Sequence, residues 1–315
     1  MKDHKRLAKG LEDISHLFLS AEESSPPSQP EEDSPKNPHA SQSDKPFPRV
    51  VAVTGDHRCL EKSFLVSNLA VELSRRRRRI RIVDADSSFP DQAFLWGRRP
   101  GDSLARLAEE ENGQQPQVIL EGPLGVKLLS LDIDLRHLRE LPETARERIW
   151  AGLTSLETDA HMILVNTPAS VHENARLIHG LAHQIVVMVP SDPLGMMDAY
   201  AVIKNILSTR PDITLGIVVY QVRMISEAQS IFKQMTRALN EFLNVTVVNL
   251  GYLLADVNIE KSILRRTPLS LTRASSRAAQ CLSQIAEKLW VQPGAREETD
   301  RSFFQALRQV LEAST

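Results

Sequence analysis

A chain of 315 residues with 42% hydrophobic and 5% aromatic side chains can bury one large aliphatic core or two small ones. Its formal net charge of −2 supplies no global attraction to nucleic acid, so no nucleic-acid partner is expected. Cys59 and Cys281 make neither a disulfide framework nor a metal cluster, and no apolar run reaches the roughly 18–20 residues that cross a bilayer, so reduced thiols and a cytoplasmic location are expected.

Residues 1–20 run from basic to apolar, and Leu7, Leu11, Ile14, Leu17 and Phe18 recur at helical spacing. An amphipathic helix is expected there, docking on a protein partner or folding back onto its own domain. Residues 21–48 carry seven prolines among Ser, Glu and Gln. That composition cannot bury a core, and the stretch reads as a disordered linker.

From Arg49 apolar strand patterns (49–54, 79–84, 116–120, 126–131, 161–166, 184–190, 213–220, 246–252) alternate with helical ones (61–77, 102–111, 138–156, 171–182, 195–208, 225–242, 256–265, 273–290). Near-continuous apolar strands such as Ile185 to Val189 need cover on both faces. The expected fold is therefore α/β, a doubly wound and mostly parallel sheet, over residues 49–290. Ligands in such a sheet lie beyond the carboxyl ends of the strands, here after 49–54, 79–84 and 161–166. The basic run Arg75 to Arg79 closes the first helix, where cations favour the helix dipole; a solvated helix end or an acidic or lipid surface would account for it.

Pro293-Gly294 falls in a short linker (291–298), followed by a second amphipathic helix at 299–315. Phe303, Phe304, Leu307, Val310 and Leu311 share one face of it, expected to meet a membrane surface or a partner groove, with packing on the parent domain as the alternative.

The chemistry-bearing stretch is VAVTGDHRCLEKSF (residues 50–63). A strand, a turn and Lys62-Ser63 opening a helix make the frame of a phosphate-binding loop, in which backbone N–H groups wrap phosphates, the lysine reaches them and the hydroxyl holds magnesium. The wrap depends on glycine, because a Cβ obstructs both the close approach and the positive φ angles. Between Gly55 and Lys62 the loop reads Asp-His-Arg-Cys-Leu-Glu instead.

The order of that frame, VDAD (83–86), ILVNTPA (163–169) and DAYAVIK (198–204) resembles the MinD/ParA superfamily of deviant-Walker ATPases. Within it, SDPLGMMDAYAVIKNI (191–206) is similar to the flagellar-number regulators FlhG and FleN. The resemblance covers residues 49–290. Matched to the family's GKGGVGKT, the glycines fall on Asp56, Arg58, Cys59 and Glu61, and the signature lysine on His57; Lys62 and Ser63 are retained. Asp84 and Asp86 match the carboxylates that serve magnesium and water, with Ser63 and Asp84 the expected metal ligands, while the Walker-B-like aspartate is Asn166. Tyr220 stands where the family has asparagine near the adenine.

The resemblance therefore implies a catalytically impaired regulator or scaffold for a cell-envelope machine such as the flagellum, with no cofactor expected. Its partner would be a GTPase or another component of that machine, and a homodimer stays open. Two other readings stand beside it. One is an active switch that binds ATP and Mg through Lys62, Ser63, Asp84 and Asp86 and dimerises on it. The other is an assembly subunit of an exopolysaccharide or pilus system.

Overall fold

The continuous apolar strands build the middle of one eight-stranded sheet. The structure is a computed structural model that describes residues 47–55, 59–86, 91–102, 104–108, 117–168, 172–292 and 301–313. The expectations for Leu7, Leu11, Ile14 and Phe18, for the linker 21–48, and for loop residues Asp56, His57 and Arg58 lie outside those residues.

The strands are β1 (Arg49–Thr54), β2 (Ile80–Asp84), β3 (Ile119–Glu121), β4 (Lys127–Ser130), β5 (Met162–Asn166), β6 (Gln184–Pro190), β7 (Thr214–Val222) and β8 (Val248–Leu254). They lie in the order β3-β4-β2-β5-β1-β6-β7-β8, all pairs parallel except the β3–β4 edge. Successive strand residues point to opposite faces, and every residue of β2, β5 and β6 is buried, so helices cover both faces.

The helices are α1 (Cys59–Arg75), α2 (Asp91–Leu95), α3 (Glu143–Ser155), α4 (Glu173–Leu181), α5 (Pro193–Thr209), α6 (Ile225–Ala238), α7 (Val257–Leu264), α8 (Leu269–Thr272), α9 (Arg277–Val291) and α10 (Phe303–Ala313). Local sequence starts several of them. Asp192 caps α5 by accepting from Gly195 N–H at 2.9 Å, with Pro193 at the first position, and Ser276 caps α9 by accepting from Ala279 N–H at 3.2 Å. Three differences from the expected elements stand out. Residues 104–108 form a 3₁₀ turn rather than a helix, α2 was not foreseen, and α6 ends in a π turn at Leu239–Leu243.

The C-terminal helix corrects an expectation. The apolar face of α10 is turned inward onto α3, α4 and the 3₁₀ turn Leu135–Glu140. Phe303, Phe304, Leu307 and Leu311 are buried, and only Val310 sits at the exposed margin. The Ser302 hydroxyl accepts from Gln305 N–H at 3.0 Å, and Glu157, from the turn after α3, accepts from Phe304 N–H at 3.2 Å. The face is covered by the parent domain, the alternative that the sequence left open.

The arginine run is also put to structural use. Arg75 donates to Ser270 O, Arg76 bonds Glu72 and the Ser283 hydroxyl, Arg78 lies over the Trp290 ring, and Arg79 donates to Asp159 O. These contacts fasten the end of α1 to α8, α9 and the β5 entry, in place of a purely solvated helix end. No helix among the described residues is long and apolar enough to cross a membrane.

Candidate functional site

Because β2, β5 and β1 are neighbours, the segments leaving their carboxyl ends converge. Lys62 and Ser63 sit in the first turn of α1; Asp84 ends β2 with Asp86 two residues on; Asn166 ends β5 with Thr167 next. All six are buried. Gly55 keeps the turn tight after β1, since a Cβ there would stand 3.2 Å from the Cβ of Met188.

Lys62 turns inward. Its Nζ pairs with Asp86 Oδ2 at 3.0 Å and donates to the Thr167 carbonyl oxygen. At 3% residue exposure it is not a solvated side chain, and its charge is already matched inside the protein. A phosphate would have to compete with a carboxylate in low dielectric for the same ammonium.

Asn166 donates through Nδ2 to Asp84 Oδ1 at 2.7 Å and to Ser63 Oγ at 3.1 Å. Asn166 therefore acts here as a donor. An aspartate in its place would face Asp84 with like charge, worth about 4 kcal/mol of repulsion at ~4 Å and an effective dielectric near 20 unless a cation intervened. Gln92 completes the cluster, its side chain donating to Ser63 O at 3.0 Å and its backbone N–H reaching Asp84 Oδ2 at 3.4 Å. Asp84 thus does part of the capping job open to a strand-end aspartate, but both aspartates are chiefly engaged with site residues.

A divalent cation wants oxygens converging on one point. Here an N–H donor is aimed at two of those oxygens and an ammonium holds a third, so the set as arranged does not fit the cation. Among the described residues no three His, Cys, Asp or Glu side chains are grouped to hold a metal.

Around this centre, Glu61 accepts from Gln221 Nε2 at 3.1 Å, linking α1 to β7, and Gln221 adopts φ +61°. Tyr220 is buried in β7 beside Pro190 and Leu253. His179 of α4 is buried, its Nε2 has no hydrogen-bond partner, and burial with the nearby Lys62 charge pushes its pKa down to about 4. Sequence reasoning missed Thr167, Gln92, Gln221 and His179. Thr167 acts through a backbone carbonyl that any residue carries, and the other three lie on elements whose approach only the fold reveals. Asn166 directly before Thr167 was the available signal.

No protein-family model matches the chain. Among sequence relatives, the antiactivator FleN of Pseudomonas aeruginosa is 22% identical over 241 residues, 76% of this chain and 86% of FleN. The flagellum site-determining protein YlxH of Helicobacter pylori is 22% identical over 284 residues, 88% of this chain and 95% of YlxH. Among solved structures, the septum site-determining protein MinD of Pyrococcus horikoshii, complexed with Mg-ADP, superposes with a TM-score of 0.58 at 17% identity, covering 76% of this chain and 95% of that one. The α/β fold is the one shared with MinD/ParA structures.

Proposed function

We infer that this chain, a MinD/ParA superfamily protein similar to FlhG and FleN, is a regulator or scaffold that positions or assembles a cell-envelope machine such as the flagellum, and that it works without hydrolysing ATP. One observation carries the second half of that reading: Lys62, the retained phosphate-binding lysine, is buried on Asp86 and Thr167. The replacement of loop glycines by Asp56, Arg58, Cys59 and Glu61, and of the Walker-B-like aspartate by Asn166, supports it from the sequence side. The names of the relatives, an antiactivator and a flagellum site-determining protein, support the first half.

A regulator without turnover acts by contact, and residues 1–20 with their linker are the segment suited to reach a protein partner from a cytoplasmic domain. The rival is a working ATP-dependent dimerising switch. It is favoured by one observation, the convergence of Lys62, Ser63, Asp84 and Asp86 beyond the carboxyl ends of β1 and β2. Phosphate release with ATP and magnesium decides between them. The expected rate for the purified chain equals that of a Lys62→Ala variant. Magnesium-dependent turnover lost in that variant would establish the switch instead.

A further inference from the structure

Asn166 makes contacts that go beyond the loss of a carboxylate. Its Nδ2 stands 2.7 Å from Asp84 Oδ1 and 3.1 Å from Ser63 Oγ, so one amide nitrogen bridges the end of β2 and the first turn of α1 from the end of β5. The orientation is dictated by the carboxylate. Turned around, the amide would set its oxygen against Asp84 Oδ1, two acceptors at hydrogen-bond distance. Its own Oδ1 is buried with no hydrogen-bond partner, so the site uses the donor end of the side chain. Beside it Lys62 neutralises Asp86 at 3.0 Å, so both site aspartates are satisfied by nitrogen donors.

We propose that Asn166 is a built-in replacement for a divalent cation: its amide holds Ser63 and Asp84 together and keeps the ends of β2 and β5 and the start of α1 in one arrangement without metal. This rests on the reading of the chain as a non-hydrolysing protein. It goes further by naming the residue that closes the cation position and the single change that reopens it. A carboxylate at position 166 removes the two donated hydrogen bonds, places like charge against Asp84, and supplies the oxygen that a cation needs beside Ser63 and Asp84.

Thermal melting of the full-length chain, without nucleotide, in EDTA or in millimolar Mn²⁺ tests this. The parent should melt at the same temperature in both. Asn166→Asp should melt several degrees lower than the parent in EDTA, recover with Mn²⁺, and bind one Mn²⁺ by electron paramagnetic resonance. Asn166→Ala should melt lower in both. The exchanged pair Asp84→Asn with Asn166→Asp restores one amide–carboxylate hydrogen bond in the opposite sense. It should melt within a few degrees of the parent in EDTA, and it keeps the question answerable if Asn166→Asp alone does not fold. A parent stabilised by Mn²⁺, an Asn166→Asp variant as stable as the parent in EDTA or unresponsive to Mn²⁺, or an exchanged pair that gains nothing over the single variant would each overturn the proposal. ATP turnover by the parent overturns the functional reading instead, and none of these melts depends on it.

Discussion

Lys62 and Asp86 are each nearly inaccessible, so their 3.0 Å pair is a buried ion pair rather than a surface contact. Such pairs add little over an apolar substitute, but removing one member strands the other charge in low dielectric at about 3–5 kcal/mol. Lys62→Met is therefore expected to lower the unfolding free energy by about that much in urea titration, and adding Asp86→Leu should recover most of it. A cost below about 1 kcal/mol for the single change would mean that Asp86 is solvated. His179 supplies a pH effect of definite sign. Its folded pKa of about 4 lies below the ordinary 6.5, so the unfolded chain binds the extra proton between those values. The stability it contributes is complete above pH 6.5 and lost as pH falls toward 4, about 2 kcal/mol by pH 5. Comparing parent and His179→Leu at pH 7 and pH 5 isolates the effect, and equal slopes would contradict it. The identities at this centre were legible because Lys62, Ser63, Asp84, Asp86 and Asn166 fall in a recognisable order. Their satisfaction by one another was not, because it depends on the Thr167 carbonyl and on an amide donating rather than accepting.

At the scale of elements, periodicity locates an apolar face but says nothing of what covers it. Four of the five residues of α10 that would suit a lipid surface, all but Val310, are buried against the domain. A serine three residues before a glutamine, Ser302 and Gln305, marks where the helix starts but not what its face meets. Leu307→Ala is expected to cost about 2–5 kcal/mol and Phe304→Ala about 3–5, because each empties a filled space in the domain. Both losses should appear in urea titration of the purified chain. Changes near zero would mean that the helix leaves the domain in solution. Short elements escaped the sequence for a different reason: α2 spans five residues and α8 four, too few for a period to register. The run Arg75 to Arg79 shows the same limit, since its charges were plain and its carbonyl and ring partners at Ser270, Asp159 and Trp290 were not.

For the molecule as a whole, the alternation of apolar strands and helices was enough to give a parallel doubly wound sheet, since strands buried on both faces have few other solutions. Strand order needed the structure. Placing β2, β5 and β1 side by side turns scattered polar residues into one buried cluster, and that cluster ties three strand ends and α1 together from within. A fold already closed this way should draw no stability from nucleotide. A ligand that bound only the native state at a hundredfold over its Kd would add about 2.7 kcal/mol. In a chain of this size that corresponds to a rise of roughly 5–10 °C, at about 2–4 °C for each kcal/mol. With millimolar ATP and magnesium, the expected change in melting temperature is under about a degree, and light scattering should return the same mass with and without nucleotide. A rise of several degrees, or a mass that doubles only with ATP, would mean that the Lys62–Asp86 pair opens for phosphate and that the core is a switch.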